Sequence, residues 1–394
     1  DKQNSSYIEL LQKKGLNEIY IGQTSADIAE LHSRKPIDWF VYSSALPREN
    51  PDHPELNFVN EKNIKSSKRD EFIAELLRTT GQKMIAIAGT HGKTTTTAMT
   101  IWMFKQLNIP VSYSVGAKLS FGDMGEFDSH AKYFIYEADE YDRNFLSFEP
   151  EIALISGIDY DHPDIYPTRN EYNKAFVEFI TQSNEVYAHP IDLELIGMAG
   201  EPETIDIDRF TLYGYVNRAN AQLVVEMTAK LTNKPVNQLI SIMNSFPGVS
   251  RRFERIVDSV YSDYAHTPEK IKGALQMAQE VASDNVVVVY EGLHNTRQHF
   301  IKEELVNLFA GVKKLYIVPS YLAREDESLE ILTPEKLCEI TQKPAEREAA
   351  KLDENLRNII TKHSNDNDLV LCLTAGGGGS LDEWLRLEFI MEDK

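Results

Sequence analysis

A chain of 394 residues, 42% apolar and 26% charged, has room for two to four globular units at roughly 100–200 residues each, three being the middle value. Its formal net charge of −20 excludes the basic footprint of a nucleic-acid binder. No apolar run approaches the roughly 20 residues of a membrane span, and the first residues lack the pattern of a signal peptide.

The far field of so acidic a protein is screened within roughly 8 Å, so an anionic ligand must be held by local donors. The 2 cysteines, Cys338 and Cys372, lie far apart and read as reduced core residues of a cytoplasmic protein.

Residues 1–80 read as a small α/β unit. An amphipathic helix opens at 7–11 and ends near Gly15. A strand is expected at 18–22, a helix at 26–32 and a strand at 39–44, an alternation that suggests a parallel sheet. A nucleotide-binding unit of this kind opens on a strand and a G-x-G-x-x-G loop, with an acidic residue about 20 positions later. Here the chain opens on Asp1 with neither. We therefore expect an incomplete Rossmann-like unit lacking its true beginning, with Asp1 in the place of the acidic residue.

Residues 81–247 read as a central unit of the phosphate-loop ATPase type with a mostly parallel sheet. The apolar run 84–88 is a buried strand that breaks at Gly89, turns through Gly92 and enters a helix at Lys93 that runs to Gln106. Backbone N–H groups of such a loop point at phosphate oxygens. Lys93 adds a point charge for the terminal phosphates, and the Thr94 hydroxyl can ligate Mg²⁺. The spacing Gly89-x-x-Gly92-Lys93-Thr94 is two residues tighter than the general G-x-x-x-x-G-K-[ST] pattern. A glycine turn before an ordinary helix would look similar in isolation. The apolar run before the loop and the four threonines after it favour the cradle.

Buried strands at 133–136 and 152–157 run into Glu137-Ala138-Asp139-Glu140 and Asp159-Tyr160-Asp161-His162. Acidic clusters at the C-terminal ends of such strands lie where open α/β sheets bind ligands. Thr94, Glu137 and nucleotide phosphates would suit Mg²⁺, and a nitrogen from His162 would also suit Mn²⁺. Helices are expected at 169–181, 217–231 and 235–245. Asn217 and Asn220 are either caps or groups facing a base or ribose.

Residues 248–394 read as a Rossmann-like third unit after a Pro247-Gly248 linker. Strands are expected at 286–290, 315–318 and 369–373, with helices at 268–281, 300–310 and 347–362. Adjacent Arg251 and Arg252 on an extended segment point to opposite sides, so one can pair structurally while the other reaches a phosphate. A strand ending at Asp263 offers a carboxylate for ribose hydroxyls, and Pro268 starts a helix. The run 375–380, Ala-Gly-Gly-Gly-Gly-Ser, is a flexible turn or a close approach to ligand.

Together these stretches resemble the Mur ligases, ATP-dependent amide-forming enzymes of peptidoglycan assembly. Gly89-Thr90-His91-Gly92-Lys93-Thr94-Thr95 is similar to the family's shortened phosphate loop. The stretches 137–142, Asp161-His162, 248–254 and Asp263-Tyr264-Ala265-His266 are similar to its other motifs, in the same order. The resemblance is strongest to the alanine-adding branch, which shares Ser43-Ser44-Ala45-Leu46-Pro47 and Arg251-Arg252-Phe253-Glu254. Later enzymes of the pathway carry a carbamylated lysine where this chain has Phe176-Val177-Glu178-Phe179.

The resemblance implies a cytoplasmic monomer or dimer using ATP and Mg²⁺ on UDP-N-acetylmuramate and an amino acid, L-alanine in that branch. It assigns Lys93, His162 and Arg252 to catalysis. It assigns Gly89, Thr90, His91, Gly92, Lys93, Thr94, Thr95, Asn217, Arg252 and Asp263 to ATP. Metal falls to Thr94, Glu137 and His162, and the two substrates to Ser44, Arg143, Tyr264, His266 and Arg297. Three departures stand out: the missing first strand and loop, Val216 where the family usually has histidine, and the less basic segment 291–297 with His294 in place of an arginine. A tripeptide-recycling ligase and a non-catalytic nucleotide-binding regulator are the alternatives these departures leave open.

Overall fold

A computed structural model of the chain describes all residues except 1–5, 17, 45, 48–49, 201–204, 321, 323–325, 327, 375, 377–378 and 391–394. Asp1, Ala45, Ala375, Gly377 and Gly378 of the stretches above lie outside the described residues.

Helices Ser6–Lys13 (α1) and Ser25–Arg34 (α2) come first, the second capped by the Thr24 hydroxyl, which accepts from Asp27 N–H. Strand β1 (Phe40–Tyr42) pairs in parallel with β2 (Ser66–Lys68) through helix α3 (Pro54–Glu61), and α4 (Arg69–Thr80) leads out of the unit. The strand expected at 18–22 does not form. The small sheet has two strands, and residues 18–22 join no ladder. An extended segment without a hydrogen-bonding neighbour is not a strand.

The middle unit runs through β3 (Lys83–Ala88), α5 (Lys93–Gln106), β4 (Val111–Ser114), β5 (Gly125–Glu126), β6 (Tyr133–Glu137), β7 (Ile152–Ile155), α6 (Arg169–Gln182), β8 (Glu185–Ala188), α7 (Pro190–Leu195), α8 (Tyr215–Thr232) and α9 (Val236–Asn244). Its strand order is β5-β4-β6-β3-β7-β8, parallel except for β5. Alternation along β3 serves two cores. Ile85 and Ile87 face α5, α8 and α9, while Met84, Ala86 and Ala88 face a cluster containing Phe145, Phe176 and Phe179. Both faces are covered, as a parallel sheet requires.

The third unit contains β9 (Glu254–Val257), β10 (Val260–Asp263), α10 (Pro268–Ala282), β11 (Val286–Glu291), α11 (Asn295–Phe300), α12 (Lys302–Leu308), β12 (Lys314–Val318), α13 (Pro334–Ile340), β13 (Arg347–Ala349), α14 (Glu354–Asn365), β14 (Leu369–Leu373) and α15 (Leu381–Phe389). The order is β13-β12-β11-β14-β10-β9, with β9 antiparallel at one edge. Two expectations are corrected here. The helix expected at 300–310 is two helices broken at Ile301. The helix expected at 347–362 is an edge strand, held by Arg347 Nε donating to Cys338 C=O, and then α14, whose start is set by the Asp353 carboxylate accepting from Leu356 N–H.

The middle and third units are joined by Pro247-Gly248, with Gly248 at φ +84°. They also meet across α8 and α10. Arg218 donates to both Glu280 oxygens at 2.9 and 3.1 Å, and Gly214 N–H donates to the same carboxylate at 2.8 Å. Among the described residues no helix is long and apolar enough to cross a membrane.

Phe179 is fully buried and stacks on Phe145 at a centroid distance of 4.8 Å. Phe179→Ala is expected to destabilise the middle unit by about 3–5 kcal/mol, seen as an earlier thermal unfolding transition.

Candidate active site

Strand order decides what surrounds the phosphate loop. β3 lies between β6 and β7, so the loop leaving Ala88 emerges between Glu137 and the Asp159–His162 stretch. Gly89 has φ +141°, and a Cβ there would stand 2.5 Å from Ser156 Oγ and 2.9 Å from Gly157 O. Gly92 has φ +80° and caps α5, its carbonyl accepting from Thr96 N–H at 2.9 Å. The amides of Lys93, Thr94 and Thr95 are therefore left without an intrahelical acceptor, at the end of the helix that favours anions.

Thr90 clamps the loop to the neighbouring strand end. Its hydroxyl donates to Asp159 C=O at 2.7 Å and accepts from Asp159 N–H at 2.8 Å, with Tyr172 OH at 2.6 Å. Its own N–H donates to Gly157 C=O at 2.8 Å. A hydroxyl has one donor and two acceptor positions, so nothing remains for a phosphate.

Lys93 Nζ donates to Gly89 C=O and to Glu140 Oε2, both at 2.6 Å. Burial opposes its charge, but Glu140 and then Asp139 outweigh burial and raise its pKa above that of an ordinary lysine. Glu140 is 1% exposed, and its other oxygen lies 3.5 Å from His162 Nε2. Burial resists ionisation of Glu140 as well, yet Lys93 and His162 hold its carboxyl at about 2. The same contact raises the His162 pKa against burial. Glu140 thus joins the loop lysine to the strand-end histidine.

Thr94 Oγ1 donates to Glu137 Oε1 at 2.7 Å, and Glu137 Oε2 accepts from Gly116 N–H at 2.7 Å. The Asn220 side chain is 1% exposed and neither of its amide atoms has a protein partner. Its Nδ2 is the atom that a Cβ on Gly92 would meet, at 2.6 Å.

The sheet of the third unit turns its own C-terminal edge to this loop. A cavity of about 1060 Å³ is lined on one side by Thr90 to Thr95 and Glu137, and on the other by Arg252, Asp263, Tyr264 and Lys270, with Asn217 and Met277 between helices α8 and α10. The two arginines take different positions, on a turn with Arg251 at φ +59° and not on the extended segment expected. Arg251 turns inward, its guanidinium 4.4 Å from the Tyr264 ring and 3.7 Å from Asp382, with Gly376 leaving it room. Arg252 lines the cavity. Asp263 accepts from Phe253 N–H at 2.7 Å, which ties the arginine loop to β10. Burial raises the Asp263 carboxyl to about 6 against the pull of Arg252.

The remaining residues are spread out. Asn217 Nδ2 donates to Tyr213 C=O at 2.9 Å at the far end of the cavity. His266 and Arg297 stand behind the cavity wall, each electrostatically coupled to the site: Arg297 acts on Asp161 and His266. Ser44 and Arg143 are elsewhere, at the junction of the first two units. Ser44 accepts from Asn144 Nδ2 at 3.2 Å, beside a Lys68–Asp142 ion pair of 2.6 Å. Arg143 is half exposed, 3.8 Å from Glu178. Two residues were missed from sequence: Glu140, the fourth residue of a quoted acidic stretch, and Lys270, which carries no motif signal beyond its place in a Pro-started helix.

Residues 87–196 match the family described as Mur ligase middle domain, and residues 251–376 match the one described as Mur ligase, glutamate ligase domain. A UDP-N-acetylmuramate–L-alanine ligase of Clostridium acetobutylicum is 28% identical over 95% of this chain and 89% of its own length. That of Clostridium novyi is 29% identical over 95% and 88%. The crystal structure of UDP-N-acetylmuramate–alanine ligase from Thermotoga maritima superposes with a TM-score of 0.71 at 19% identity, covering 98% of this chain and 96% of that one. A murein peptide ligase from Psychrobacter arcticus gives 0.59 at 18% identity, covering 97% and 90%. These two structures share the fold.

Thr90→Val keeps the shape but leaves Asp159 and Tyr172 unpaired. It is expected to cost about 1–3 kcal/mol in thermal stability and to weaken nucleotide binding, read by calorimetry. His266, lowered to about 4 by burial and by Lys270, should titrate near that value by imidazole NMR. The unfolded histidine takes a proton below about 6.5 that the folded one refuses. This group therefore subtracts stability as pH falls from 6.5 toward 4, and His266→Gln should flatten that slope.

Proposed function

The chain belongs to the Mur ligase family, and within it we propose that the protein joins L-alanine to UDP-N-acetylmuramate with conversion of ATP to ADP and phosphate. One observation carries the reading: a single cavity has the phosphate loop on one wall and Arg252 with Asp263 on the other. ATP on the loop would present its terminal phosphate to the opposite unit.

The donors fit that ligand. Free amides at the start of α5 and the Lys93 ammonium suit the phosphates. Asp263 and Asn217, both lining the cavity, would take ribose and base. Thr94 and Glu137 are oxygen donors already 2.7 Å apart and would hold Mg²⁺, with His162 beside a second position. When bound, the metal neutralises phosphate charge.

In the proposed reaction a carboxylate oxygen of the sugar's lactyl group attacks the γ-phosphorus as the bond to the β-phosphate oxygen breaks. The alanine ammonium gives one proton to solvent, the resulting amine attacks the acyl carbon, the C–O bond to phosphate breaks, and the second nitrogen proton goes to solvent. Lys93 and Arg252 supply fixed positive charge around the moving phosphoryl. Tyr264, which lines the cavity, would hold the amino acid, with His266 and Arg297 behind it. His266 is neutral at pH 7 and does not repel an incoming ammonium. The protein does little covalent work, and holding reactants in line can supply effective molarities on the order of 10⁵ M. With nucleotide substrates of this kind the enzyme would work in the cytoplasm.

The test is phosphate release from MgATP with UDP-N-acetylmuramate and single amino acids. Release is expected to require both substrates and to favour L-alanine. Release with none of the amino acids would remove the reading. Preference for L-alanyl-γ-D-glutamyl-meso-diaminopimelate would instead support the recycling reaction, which the altered segment 291–297 keeps in view.

A further inference from the structure

Lys270 sits in the first turn of α10, two residues after Pro268, and lines the same cavity as Lys93, Thr94 and Arg252. Several of the other cations there have carboxylate partners: Lys93 is held by Glu140, Arg386 by Glu254 and Asp382, and Arg255 by Asp258. Arg252 and Lys118, like Lys270, have none among the described residues. Lys270 makes no hydrogen bond within 3.5 Å and no ion pair within 4.0 Å to any described residue.

The charges that act on Lys270 come mainly from across the cavity. They are Asp161, Lys93 and Glu140 of the middle unit, with Arg252 of its own. Burial, Lys93 and Arg252 together outweigh Asp161 and hold the Lys270 ammonium below its ordinary pKa. A surface lysine avoids this arrangement by extending into water. Three cations converging on one half-buried space repel one another, and a polyanion between them reverses the sign of that interaction. The phosphate loop fixes where such an anion sits.

We propose that Lys270 is a further catalytic residue of the amide-ligase reaction, donating from the third unit to the terminal phosphate of ATP and to the phosphoryl group as it moves to the acceptor carboxylate. This rests on the function proposed above. Lys270 contributes charge and hydrogen bonds only. The P–O bond to ADP breaks as the carboxylate O–P bond forms, and no proton passes through the lysine. Arg252 and Lys270 then grip from one side what Lys93 grips from the other, and ADP, lacking the terminal phosphate, does not reach Lys270.

Calorimetry on the full chain separates the possibilities. Lys270→Ala is expected to weaken binding of Mg²⁺ with the β,γ-imido analogue of ATP by about tenfold while leaving MgADP within about twofold. Lys270→Arg should restore part of the difference. Equal losses for both nucleotides, or none, would overturn the assignment. In turnover, Lys270→Ala should lower kcat by about 10²-fold or more with an unchanged thermal midpoint. If the unsubstituted protein turns over and Lys270→Ala stays within about threefold of it, this assignment fails and the ligase reading stands. If the unsubstituted protein does not turn over, the ligase reading fails and the two-nucleotide comparison still decides whether Lys270 touches the terminal phosphate.

Discussion

The site depends on a loop of two residues between two glycines being stitched to the neighbouring strand end. Thr90 bonds to Gly157 and Asp159 through three of its atoms' donors and acceptors, and Ser156 Oγ donates to His91 C=O. Gly89 has no space for a side chain because Ser156 and Gly157 fill it. The chain that anchors the loop continues within a few residues to Asp161 and His162. Loop and histidine therefore hold one geometry, and parallel strand order brings them together although about 70 residues separate them.

On that frame the charges are arranged in buried sets. Glu140 lies between Lys93 and His162 and is fully desolvated, so removing any one member leaves an uncompensated charge in a dry place. Across the cavity, Arg251 is absorbed by Tyr264 and Asp382 and leaves Arg252 as the one that faces the cavity.

Much of this was legible in the sequence. The apolar run, the two glycines and Lys93-Thr94 specify strand, turn and helix locally, and the helix from Lys93 to Gln106 ends where it was expected. The acidic strand ends were legible because a buried strand must stop where carboxylates begin. Other features needed the fold. Thr90 looks like any loop donor until Asp159 and Tyr172 are placed against it. Lys270 has no motif, because its role comes from a helix of one unit facing the loop of another. Residues 18–22 have strand-like composition, but strand formation is decided by a neighbour that composition does not encode. Residues 347–349 likewise read as the start of a helix and instead pair with β12.

Polar contacts fix the middle and third units near two places among the described residues, the Pro247-Gly248 link and the forked contact of Arg218 with Glu280, beside which Asn217 meets Met277. Two anchored points define a line. Relative movement that preserves both is a rotation about that line, with one angle as its coordinate. Each wall keeps its own internal geometry through such a turn, since the Thr90 stitching and the Asp263–Phe253 bond lie wholly within one wall. What changes is the span between Lys93 and the Arg252–Lys270 pair. Mechanically the two walls would be the jaws of a calliper.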